Sequence, residues 1–143
     1  MKKILFVCLG NICRSPMAEY VFKYLAEKAG RLDEFTVASA ATSDEAVGCG
    51  VHRGTREVLA RHAVPCPPRR AIELTKADYQ KYDLIIGMEN ANLRNMLAIF
   101  GGDPENKVVR LLDRDVADPW YTGNFDITYA DITEGCKLLL ERL

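Results

Sequence analysis

The sequence predicts a single α/β domain spanning residues 1–143, built on a parallel twisted sheet with helices on both faces. Two observations predict it. Short apolar runs alternate with stretches of helical periodicity, as in chains that cross from strand to strand through helices. The runs are apolar at consecutive positions, as strands buried on both faces are. The length of 143 residues suits one core.

Taken in order, Ile4-Leu5-Phe6-Val7-Cys8 reads as the first buried strand. Ser15 is placed to cap a helix with Pro16 at its first position. Met17, Ala18, Val21, Phe22, Leu25 and Ala29 then recur at helical spacing until Gly30 ends the run. Phe35 to Ser39 gives a second strand and Arg53 to His62 a second helix. Pro65, Pro67 and Pro68 mark an extended loop. Asp83 to Gly87 gives a third strand, followed by a helix containing Leu93, Met96 and Leu97. Lys107 to Leu112 gives a fourth strand. Ile132, Cys136, Leu139, Leu140 and Leu143 form the core face of a last helix, where Gly135 predicts close packing. Sites in such sheets lie at the carboxyl ends of the strands, where strand order switches.

Composition narrows the function classes. The chain is 48% hydrophobic and 27% charged with net charge −1, which excludes disordered and coiled-coil classes and offers no global field for nucleic acid or an anionic membrane. Residues 1–72 carry eleven basic against seven acidic side chains, and residues 73–143 eight against thirteen. Five cysteines, an odd count, make a poor disulfide framework and point to a reducing compartment. The apolar run after Lys2 and Lys3 stops at Asn11, too short for a secretion signal, and no run approaches the ~20 residues of a membrane span. A cytoplasmic protein is expected. His52 and His62 lack zinc-ligand spacing, so no metal is expected.

The chemistry concentrates in Cys8-Leu9-Gly10-Asn11-Ile12-Cys13-Arg14-Ser15, between the first strand and the first helix. A thiol at a helix N-terminus beside an arginine favours the thiolate. The backbone N–H groups of residues 9 to 14 can curl into a nest for three phosphate oxygens. Gly10 and Asn11 tolerate the left-handed backbone such a nest demands. Arg14 adds a planar fork for two oxygens, and Ser15 a hydroxyl for the sulfur. A proton donor is also needed for a leaving oxygen. Asp118, Asp113, Asp115 and Asp126 rank nearly equally from the residues alone, although Pro119 biases Asp118 to an extended, aimed backbone. Trp120 and Tyr121 offer a wall for a flat group, and Leu9 and Ile12 a floor and rim.

These segments, with Ser39-Ala40-Ala41-Thr42-Ser43, Asn92-Leu93-Arg94 and Asp118-Pro119-Trp120-Tyr121, resemble the low-molecular-weight protein tyrosine phosphatases over nearly the whole chain. The resemblance implies a four-stranded parallel sheet, for which the flavodoxin-like order 2-1-3-4 is expected, and a mechanism without metal or cofactor. It implies Cys8 as nucleophile, Arg14 as phosphate clamp and Asp118 as general acid. Asn11, Ser15 and Ser39 would form the network that shapes the loop, and the substrate-binding set would comprise Leu9, Gly10, Asn11, Ile12, Cys13, Ser15, Ser39, Trp120 and Tyr121. It also supports a reversible Cys8–Cys13 disulfide. The implied partners are phosphotyrosine proteins or aryl phosphates, with inorganic phosphate as product, and the chain is expected to be a monomer or weak dimer.

The match has departures. Asp44-Glu45-Ala46 lacks an aromatic found in many members, Pro67-Pro68-Arg69-Arg70 lacks a histidine found in some, and Glu89 stands where aspartate is common. Glu45 reads as solvated. Protein-arginine phosphatases of the same fold are the alternative, but they resemble threonine at the position of Ile12. Thiol-dependent arsenate reductases need a closely spaced cysteine pair that residues 75–90 lack.

Overall fold

Every strand of the computed structural model, which describes residues 1–143, is parallel to its neighbours. The strands are β1 (Lys2–Cys8), β2 (Phe35–Ala41), β3 (Leu84–Gly87) and β4 (Val108–Arg110), in the order β2-β1-β3-β4. The helices are α1 (Arg14–Lys28), α2 (Arg53–Arg61), α3 (Asp78–Lys81), α4 (Asn90–Phe100), α5 (Pro119–Thr122) and α6 (Phe125–Arg142). The expected fold and strand order are therefore observed. No helix is long and apolar enough to cross a membrane.

The unbroken apolar run of β1 has a direct cause. Alternate side chains face opposite layers, with Ile4, Phe6 and Cys8 joining α1 and α6 residues on one face. Leu5 and Val7 join Ile85, Met96 and Phe100 on the other. All five residues from Ile4 to Cys8 are buried, each large apolar one contributing about 1.5–3 kcal/mol. Gly135 meets its expectation. A Cβ there would overlap the Leu111 side chain, so α6 lies directly against the turn after β4. Gly87 acts similarly, since a Cβ would lie 2.9 Å from the Met96 side chain and 3.0 Å from Asn92. Its bareness lets the start of α4 come down onto the end of β3.

The start of α1 differs from expectation. Helix α1 begins at Arg14 with Cys13 in the cap position and no side-chain cap, so Ser15 lies inside the first turn. The Ser15 hydroxyl is taken by Cys8 and Asn11 instead of by the helix backbone. Gly10 also departs from expectation: only Asn11 of that pair has a left-handed backbone, at φ 58°.

Candidate active site

The carboxyl end of β1 lies between β2 and β3, where the chain's strand order switches, and the loop of residues 8–15 leaves from there. It curls around the Cys8 sulfur. Asn11 N–H and Ser15 N–H donate to Cys8 Sγ at 3.3 and 3.4 Å, and Ser15 Oγ lies 3.0 Å away. Neighbouring loops brace this curl: Thr42 N donates to Cys8 O, Ser43 N to Leu9 O and His52 N to Ile12 O.

Cys8 stands at a cleft of about 300 Å3 lined by Cys8, Leu9, Gly10, Ile12, Cys13, Arg14, Ser43, Glu45, Ala46, Asp118, Trp120 and Tyr121. The three residues read as chemically active thus share one cleft with both expected wall aromatics. Three others of the expected set stand apart from the lining. Asn11, Ser15 and Ser39 are 1% exposed or less, and none of their side chains lines the cleft. They stand behind the loop. Asn11 Nδ2 donates to Ser15 Oγ at 2.7 Å, while Ser39 reaches Asn11 only through Arg69.

Arg14 is 1% exposed. Its Nη1 donates to Val116 O at 2.9 Å, and its Nη2 to Glu89 Oε1 at 3.0 Å and Asp118 Oδ2 at 3.3 Å. Burial opposes its charge. The Glu89 hydrogen bond and the charges of Cys8, Asp118 and Glu89 outweigh that burial and hold its proton more firmly than usual. Cys13, by contrast, is pushed up to about 12 by burial, then by the nearby charges of Cys8 and Asp118, against the pull of Arg14. It stays a thiol.

Asp118 is extended at φ −84° and ψ 111°, as the following proline requires. Its Oδ1 accepts from Trp120 N at 3.0 Å and so caps α5. The rival acids fall away. Asp115 accepts from Asn90 N and Arg110 Nη1, Asp126 pairs with Arg61, and Asp113 is exposed beside Arg114. None of the three lines the cleft.

Sequence reasoning missed several contributors. Glu89 appears there as a departure, yet it holds Arg14 and caps α4 in a reciprocal box with Asn92. Arg69 appears there only as part of the segment that lacks a histidine. Glu19 appears nowhere, yet it is 7% exposed and accepts from Ser39 Oγ at 2.6 Å. Glu45 lines the mouth while remaining exposed, with Ser43 and Ala46 where an aromatic is absent.

Known proteins resemble this chain in sequence and fold. The pattern of the family described as "Low molecular weight phosphotyrosine protein phosphatase" matches residues 3–143. The chain is 38% identical to the low molecular weight protein-tyrosine-phosphatase YfkJ of Bacillus subtilis, over 98% of this chain and 94% of that one. The YfkJ crystal structure superposes with a TM-score of 0.96, covering 99% of this chain and 94% of that one. The human low molecular weight phosphotyrosine protein phosphatase is 31% identical, over 99% of this chain and 95% of its own length. A Drosophila arginine phosphatase is also similar in structure, at 30% identity and a TM-score of 0.87, covering 99% of this chain and 97% of that one.

Proposed function

The chain belongs to the low molecular weight phosphotyrosine protein phosphatase family, and from that premise we propose that it hydrolyses protein phosphotyrosine and aryl phosphates through a phosphocysteine. The observation that carries this reading is the cleft itself. A sulfur ringed by hydrogen-bond donors, a buried guanidinium and Asp118, the one candidate aspartate in the lining, open onto one space beside two aromatic side chains.

In the first step Cys8 Sγ, as thiolate, attacks phosphorus while the ester P–O bond breaks. Asp118 gives its proton to the departing phenolic oxygen. In the second step water attacks the phosphocysteine, its proton passes to Asp118, and the S–P bond breaks to return the thiolate. Arg14 and the loop N–H groups hold the three equatorial oxygens in both transition states. The Ser15 hydroxyl and the N–H groups of Asn11 and Ser15 steady the sulfur when it is charged. Ile12, Trp120 and Tyr121 flank the aryl ring.

The whole of residues 1–143 acts in this reading as one phosphatase domain, as a monomer or weak dimer. All five cysteines are free thiols, which suits a cytoplasmic thiol enzyme.

The test is turnover of para-nitrophenyl phosphate in a chelator, inhibited by vanadate, followed by a panel of phosphotyrosine and phosphoarginine peptides. Vanadate-sensitive turnover with preference for phosphotyrosine supports the reading. Inertness toward aryl phosphate overturns it, and preference for phosphoarginine replaces the substrate.

A further inference from the structure

Behind the loop lies a largely buried polar chain that runs from Arg69 to the Cys8 sulfur. Arg69 starts it. Its Nη2 donates to Asn11 Oδ1 at 2.8 Å and its Nη1 to Ser39 Oγ at 2.6 Å. Asn11 Oδ1 also accepts from Ile72 N at 3.1 Å. Two donors on that atom identify it as the oxygen, because a flipped amide would set NH2 against two other donors. Nδ2 must then face Ser15 Oγ, to which it donates at 2.7 Å. Ser15 Oγ has one other partner, the Cys8 sulfur at 3.0 Å, and a thiolate sulfur can only accept, so in the nucleophilic form the hydroxyl proton points there.

Arg69 is itself held. Ser39 Oγ spends its proton on Glu19 Oε1 at 2.6 Å and so has only lone pairs to offer Arg69. Glu19 lies 3.9 Å from Arg69 Nη1 and is anchored from solvent by Lys23 at 2.9 Å.

We propose that Arg69 is a positioning residue for Cys8, fixing through Asn11 and Ser15 the direction of the hydroxyl proton given to the sulfur. It lies behind the loop, outside the cleft lining. Its influence reaches the sulfur through the left-handed Asn11, which its guanidinium grips from the far side. The fork geometry matters, since one guanidinium spans Asn11 and Ser39 together. This inference rests on Cys8 being the nucleophile proposed above.

The test is the pH profile of Cys8 alkylation by iodoacetamide, read by mass mapping of the Cys8 peptide and so independent of turnover. Arg69→Met is expected to slow alkylation at pH 6 by about tenfold and to displace the profile to higher pH. The acid limb of kcat/KM for para-nitrophenyl phosphate moves with it. Arg69→Lys keeps the charge but loses the fork, and its profile falls between the two. In a Ser15→Ala background, Arg69→Met adds less than about twofold, because the effect travels through that hydroxyl. A folded Arg69→Met with the parent's profile overturns the proposal, and so does an undiminished effect in the Ser15→Ala background. Should Arg69→Met fail to fold, Arg69→Lys decides: a displaced profile supports the proposal and a superimposable one overturns it. A parent protein inert toward aryl phosphate refutes the phosphatase reading and leaves the alkylation result to speak for Arg69.

Discussion

Asp118 Oδ2 lies 3.3 Å from Arg14 Nη2, so the proposed acid and the proposed phosphate clamp are in direct contact. The other oxygen, Oδ1, is committed to Trp120 N. One carboxylate edge therefore holds the loop in place and the other faces the chemistry.

Asp118→Asn separates these tasks. An asparagine oxygen still caps α5 but supplies no proton, so the fold should persist while the rate falls. Turnover of phenyl phosphate is expected to drop by about 10² or more. The loss should be smaller for para-nitrophenyl phosphate, whose leaving group needs less help. Steady-state kinetics on the two esters check this, and an equal, slight loss on both would remove Asp118 from the acid's role. Asp115→Asn and Asp126→Asn are expected to stay within about twofold of the parent, since neither carboxylate lines the cleft.

Arg14 should not tolerate lysine. Its guanidinium reaches Val116, Glu89 and Asp118 from one buried position, and an ammonium cannot match that fork. Arg14→Lys is expected to lower kcat/KM by about 10²–10³, the scale of losing a preorganised anion donor. Cys8→Ser should abolish turnover while phosphate still binds, measurable by isothermal titration. Retained turnover in Cys8→Ser would exclude a phosphocysteine.

The Cys13 thiol, pushed up to about 12 by burial and then by the charges of Cys8 and Asp118, sets the direction of any Cys8–Cys13 disulfide. Near neutral pH Cys13 is protonated and a poor nucleophile, so peroxide should oxidise Cys8 first, to the sulfenic acid. Cys13 then displaces hydroxide, which leaves as water, and the disulfide forms. Because the thiolate of Cys13 grows about tenfold per pH unit well below 12, disulfide closure should quicken from pH 7 to pH 9. Mass mapping after mild peroxide measures it. Irreversible Cys8 acids with no linked peptide would end the idea.

The strands were legible because each is apolar at consecutive positions, and a strand buried on both faces has no other pattern. The loop was legible because its chemistry is local: sulfur, arginine and serine lie within eight residues. Ser15 was misplaced as a cap for an instructive reason. A serine before proline satisfies the capping rule equally well whether or not a sulfur waits across the loop, and only the three-dimensional curl supplies that competitor. Glu89 and Arg69 lie 75 and 58 residues from the side chains they hold, so no spacing rule joins them. Asp118 could not be ranked above Asp115 and Asp126 without the family resemblance. Their separation rests on which carboxylates already have backbone and arginine partners elsewhere.

Gly54 offers a last test, of the pocket wall. A Cβ at Gly54 would overlap the Phe125 ring, the first side chain of α6. That ring stacks on His52 at 5.1 Å, and His52 meets Trp120 edge-on at 5.8 Å. His52 N also donates to Ile12 O at 2.8 Å, so one histidine joins the loop around the sulfur to the aromatic wall. Gly54→Ala gains up to about 1 kcal/mol of helix propensity in α2, but displacing Phe125 costs about 1–3 kcal/mol. A net loss of stability is expected in urea denaturation. With its support moved, Trp120 should hold an aryl ring less well, raising KM for aryl phosphates a few-fold while kcat changes little. Trp120 is the chain's single tryptophan, so its fluorescence reports the displacement directly. A variant with shifted emission and an unchanged KM would show that Trp120 is not a wall for the substrate.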